Sequence, residues 1–143
     1  SRYNDIGIHF GTWGQALSRL KEKERSMERL AQAHVYNVYL NIQNPLFLTD
    51  IGSWDEPRLL HEDMKYRVGP DAIVILDKLM QDVEKVQSDY NSGSSVKLQE
   101  EKQKYIKEWV KQIKKMGYDG IKYKNQYEQN HHHQLSPCQY TRL

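Results

Sequence analysis

One cysteine, Cys138, is all the chain has, so an internal disulfide and with it a disulfide-stapled secreted scaffold are excluded. It lies in a polar stretch outside any constellation and is assigned no role. No apolar run is long enough to cross a bilayer. No signal-peptide pattern opens the chain, and a start at Ser1-Arg2-Tyr3 reads as a domain cut from a longer protein. Charge of one sign is also missing: the net value is +2, too small to argue for nucleic acid by itself. Phenylalanine is scarce, two against ten tyrosines and three tryptophans. Tyrosine joins a polar tip to an apolar body, which suits half-buried core edges, pocket walls and wet interfaces alike. There is no Gly-x-x-x-x-Gly-Lys phosphate loop, no Gly-x-Ser-x-Gly elbow and no Cys/His nucleophile pair.

What is there fits one soluble globular domain. The 143 residues suffice for a real core, and the hydrophobic (38%) and charged (28%) fractions are ordinary. Ile6 to Phe10 alternate and predict a short strand. Thr12 is placed to cap a following helix, with Gln15 completing a capping box, and apolar residues to Ala31 carry that helix to about Ala33. Tyr36, Val38, Leu40 and Ile42 alternate with Asn37, Tyr39 and Asn41, which predicts a second strand. Asn44-Pro45 should end its pairing, since proline has no ladder donor, and Leu46-Phe47-Leu48 is a further extended piece.

Asp50 to Glu56 reads as a loop, with Pro57 at the first position of a helix through Met64. After the break at Gly69-Pro70-Asp71, Ile73, Leu76, Leu79, Met80, Val83 and Val86 keep helical period. Asn91 to Ser95 reads as a linker. A last helix places Tyr105, Ile106, Trp109, Val110, Ile113 and Met116 on one stripe, with Gly117 as a left-handed cap. Gly120 to Tyr123 returns as a strand. The class expected is α+β: a small sheet with about four helices around it, the domain spanning residues 1–128 and a polar C-terminal tail spanning 129–143.

Chemistry then falls to the strand ends. His9 stands between Gly7 and Gly11, and glycines let a ligand approach the backbone; a histidine hydrogen-bonded within the sheet is the plain alternative. Tyr39, on the polar side of its strand, suits ring stacking or packing equally. Glu128 is either a positioned carboxylate or a solvated glutamate. His131-His132-His133 cannot converge on one ion from a regular strand, so a polar run and no metal site is expected.

Three segments, in order, resemble an ADP-ribosyltransferase domain of the kind found in large polyvalent proteins of phages and mobile elements. Ile8-His9-Phe10-Gly11-Thr12, followed by Ala16 and Arg19, is similar to the family's first strand. Val35 to Leu46, with Tyr36, Tyr39, Leu40, Asn44, Pro45 and Leu46 in register, is similar to its second. Gly117-Tyr118-Asp119-Gly120-Ile121, then Tyr123, Asn125 and Glu128, is similar to its third.

The resemblance implies a toxin-like glycosyltransferase that takes NAD as substrate, releases nicotinamide and transfers ADP-ribose to a macromolecular acceptor. It further implies that His9 orients the ribose, that Gly11 and Thr12 line the nicotinamide pocket, and that Glu128 is the catalytic acid. Tyr39, Tyr123 and Asn125 are second-rank pocket residues, and the sequence does not fix whether the domain acts in the cytoplasm or is delivered into a host cell. Relatives continue from the glutamate into an apolar strand, whereas Gln129 to Tyr140 here is polar and reads as loop.

The alternative from another class is a non-catalytic binding module, or an ADP-ribosyltransferase-fold pseudoenzyme. Lys97, Lys102, Lys104, Lys107, Lys111, Lys114 and Lys115 crowd the last helix, and with the tyrosines they could face an acidic partner or nucleic acid.

Overall fold

A computed structural model describes residues 8–25, 34–89, 96–124 and 138–143. These form four strands and four helices: β1 (Ile8–Phe10), α1 (Trp13–Arg25), β2 (Pro45–Thr49), α2 (Pro57–Met64), α3 (Pro70–Asp89), α4 (Val96–Lys115), β3 (Gly120–Lys124) and β4 (Cys138–Arg142). The class is α+β, a small sheet with helices, as expected.

The strands make one mixed sheet in the order β1-β4-β3-β2. β4 pairs antiparallel with both β1 and β3, and β2 pairs parallel with β3. Parallel partners need a long crossover, and α2, α3 and α4 supply it. These three helices pack on one another and join the inner sheet positions Leu46, Ile121 and Tyr123 in one core. At its centre Trp109, Tyr105, Leu60, Met64, Leu76, Leu98 and Ile113 are buried. Each fully buried aliphatic side chain contributes roughly 1.5–3 kcal/mol relative to exposure, so this helical layer holds most of the apolar stabilisation.

Local sequence explains the helix ends. Thr12 and Gln15 close the expected capping box: Gln15 Oε1 accepts from Thr12 N at 2.7 Å, and Thr12 Oγ1 accepts from Gln15 N at 3.3 Å. The extension of that helix to Ala33, and the 91–95 linker, lie outside the described residues. Pro57 and Pro70 open α2 and α3, where a missing N–H costs nothing. α4 ends in a Schellman turn: Tyr118 N donates to Ile113 O, Gly117 N donates to Lys114 O, and Gly117 has φ of 91°.

Two expectations are corrected. Residues 36–42 are not a strand, and Tyr36, Val38 and Tyr39 are exposed. Alternation marks one apolar face but provides no pairing partner, and the β3 edge is taken by β2. Pro45 opens β2 rather than ending a strand, a position where no ladder donor is required. Residues 138–142, expected within a polar tail, form β4 in the interior of the sheet. A boundary at residue 128 therefore does not separate a domain from a tail. Thr141 of β4 is buried completely, and the strand forms without apolar alternation.

Candidate functional site

Strand direction decides which segments meet. β1 and β3 are each antiparallel to β4, so they run the same way, and β2 runs with them. The C-terminal ends of all three leave the sheet on one side. Gly11 and Thr12 follow β1 there, Asp50 follows β2, and the chain leading to Asn125 and Glu128 follows β3. In open α/β sheets this edge is where ligands settle. In register, His9 shares a row with Thr141, Ile121 and Leu46.

Gly11 is exposed, and its lack of a side chain is used: a Cβ there would lie 2.5 Å from Gln15 Oε1. Thr12 is exposed as well, but both its amide and its hydroxyl serve the cap of α1, so its first role is to set the helix start. Asp50 is buried and accepts from Gly52 N at 3.0 Å, shaping the loop beyond β2.

Tyr123 packs into the core. It is buried against Trp54, with ring centroids 4.6 Å apart. Its place at an inner sheet position carries it into the core. Tyr39 is fully exposed on a segment without strand pairing and is not brought to the others. Asn125 and Glu128 lie outside the described residues, as do His131, His132 and His133. Among the described residues, no group of three or more His, Cys, Asp or Glu is placed to hold a metal ion. Nor, among those residues, is any helix long and apolar enough to cross a membrane.

The Asn44-Pro45 and Gly117-Tyr118-Asp119-Gly120 motifs meet and lock. Asp119 accepts from Gln43 N at 2.7 Å and from Asn44 N at 2.9 Å, while Asn44 Nδ2 donates to Gly117 O at 2.8 Å. Hydrogen bonds from the Gln43 backbone first, with partial burial opposing and the Asn44 amide and Arg142 adding, hold the Asp119 carboxyl below its ordinary range. This clamp fixes the start of β2 against the start of β3. Gly120 completes it, because a Cβ there would lie 2.8 Å from Ile42 Cγ2 and 3.0 Å from Thr141 O.

Two other clusters escaped the sequence. Across the helices, Tyr105 OH sits 2.8 Å from His61 Nδ1, and His61 Nε2 sits 2.9 Å from Asp77 Oδ1. Burial, with Asp77 adding, pushes the Tyr105 phenol far above its usual value, so it stays protonated and does not serve as a nucleophile. Across the sheet, Lys122 Nζ lies 5.3 Å from the ring centroids of both Phe47 and Tyr140. Neither cluster has local sequence spacing, so no motif could have announced it.

On α4, Lys104, Lys111 and Lys102 pair with Glu101, Glu108 and Glu56. Lys107, Val110, Lys111, Lys114 and Lys115 line an open groove of about 500 Å³. No family model, curated protein or solved structure matches the chain.

Proposed function

We propose that the domain transfers ADP-ribose from NAD to a macromolecular acceptor, with His9, Gly11 and Glu128 at the reacting end. The observation that supports this is the common exit of β1 and β3, since the two motifs behind the resemblance leave the sheet on one side, separated only by β4. Two strand spacings are about 9.6 Å. Four residues of chain, from Lys124 to Glu128, span up to about 14 Å. A carboxylate at 128 thus has the reach to face the Gly11 backbone.

In the reaction the C1′–N bond of the nicotinamide ribose breaks, its electron pair leaving with nicotinamide. The sugar passes through an oxocarbenium-like state, which Glu128 stabilises by its charge while accepting a hydrogen bond from the 2′-hydroxyl. His9 orients the ribose, and the Gly11 backbone pairs with the planar amide. The acceptor nucleophile then bonds to C1′ and gives up its proton. Thr12 acts through the helix cap, and Tyr39 and Tyr123 are left out of the pocket.

Nicotinamide release from NAD tests this, with the chain compared to Glu128→Gln at matched folding by circular dichroism. Loss of one such electrostatic group should lower turnover about a hundredfold or more. Absence of nicotinamide release from the unaltered chain, with cell extract supplied as acceptor, would sink the proposal. The lysine-lined groove of α4 supports the second reading, a binding module for an acidic partner.

A further inference from the structure

One face of the sheet packs on the helices; the other carries no helix-facing core residue. Across that second face Phe10, Tyr140, Lys122 and Phe47 form a single row through all four strands. Phe47 is 63% exposed, against the usual preference of a large apolar ring, and Phe10 and Tyr140 are half-buried. Lys124 and Arg142 are exposed on the same face, two residues to either side of that row. No strand position on this face is Asp or Glu. Asp119, which draws partly on Arg142, is bound to the Gln43 and Asn44 amides.

We propose that this face binds single-stranded nucleic acid, with bases stacked on Phe47 and Tyr140 and phosphates held by Lys122, Lys124 and Arg142. The chemistry selects that occupant. An acidic peptide would need the cations but gives no use to an exposed phenylalanine. A duplex offers phosphates but hides its base faces. Only an unpaired strand presents planar rings and charge together at short intervals, and a sheet with aromatic residues amid cations is a surface that accepts it. Phe47 and Tyr140 lie two strands apart, about 9.6 Å, with the Lys122 ammonium between them. Side-chain hydrogen bonding and charge from Tyr140 favour the protonated lysine, so the cation persists at any ordinary pH. The site lies across the outer face of the sheet and adjoins the strand ends assigned to NAD at Phe10 and Lys124.

Fluorescence anisotropy of the full chain with a labelled oligothymidylate of about ten nucleotides tests this without NAD, so its outcome is independent of turnover. Three neutralised phosphates at about −0.7 each give a salt slope near −2, or roughly twentyfold weaker binding for a fourfold rise in salt. Phe47→Ala, an exposed change that spares the core, should weaken binding about tenfold, the loss of one stacked base. Lys122→Gln should lower the slope by about 0.7. The pair Lys107→Gln and Lys114→Gln on α4 should change neither. No saturable binding at low salt, full affinity in Phe47→Ala, or equal displacement by polyglutamate or by a duplex of the same length would each overturn the proposal.

Discussion

Tyr105→Phe removes one oxygen from the middle of the helical layer and tests how α2, α3 and α4 are held together. Tyr105 is fully buried on α4. Its hydroxyl is 2.8 Å from His61 Nδ1 on α2, and the other ring nitrogen is 2.9 Å from Asp77 on α3. The substitution deletes the hydrogen bond between the phenol and Nδ1, a net loss of about 0.5–1.5 kcal/mol. It also leaves Nδ1 without that partner in a side chain only 13% exposed, which adds part of a desolvation penalty of about 1–3 kcal/mol.

The ring itself is kept, so no cavity of consequence opens. The sum is a destabilisation of about 1–2 kcal/mol, seen as a Tm lower by roughly 3–7 °C or as a lower urea midpoint at unchanged m. A double-mutant cycle with His61→Ala should return a coupling of at least about 0.5 kcal/mol. Stability of Tyr105→Phe within about 0.3 kcal/mol of the unaltered chain, or strict additivity in the cycle, would refute the relay as a structural bond.

Two further outcomes follow from the clamp at the sheet edge. Gly117→Ala meets open space, its nearest neighbour being Asn44 Nδ2 at 3.9 Å, but must hold φ near 91°; urea unfolding should show a loss of about 1–2 kcal/mol, and none would argue against the Schellman turn. Asp119 has a folded pKa below its ordinary 3.8, so its stabilisation is complete above that value and lost as pH falls through the depressed one. The Asp119→Asn variant should therefore show a flatter stability profile between about pH 5 and 2, and a profile parallel to the unaltered chain would count against the clamp.

The helical half of the fold was legible because its signals are local. Pro57, Pro70, the Thr12–Gln15 box and Gly117 each act within one turn of chain, and the apolar stripe of α4 returns every three or four residues. The sheet was less so. Tyr36 to Ile42 has strand alternation without an edge to pair with, whereas Pro45 to Thr49 has only three apolar residues yet pairs fully with β3. β4 reads Cys-Gln-Tyr-Thr-Arg, and its assignment depends on partners more than a hundred residues away in β1. The same holds for the candidate site. The Gly11 and Gly117–Asp119 motifs could be seen in the chain, but the burial of Tyr123 could not, because it depends on Trp54 from the loop between β2 and α2. The Phe47–Lys122–Tyr140 row exists only once three strands are in register.

The interior place of β4 imposes an order of assembly. Helices α2 to α4 contain nearby contacts and can condense as soon as they are synthesised, whereas β1 is made first and has no partner until residues 140–142 arrive. Loop closure across that distance comes late and slows folding. During synthesis, therefore, one edge of β3 and the whole of β1 remain open to foreign strands. The last short segment to form is the one that closes the open edge of β3 and one edge of β1.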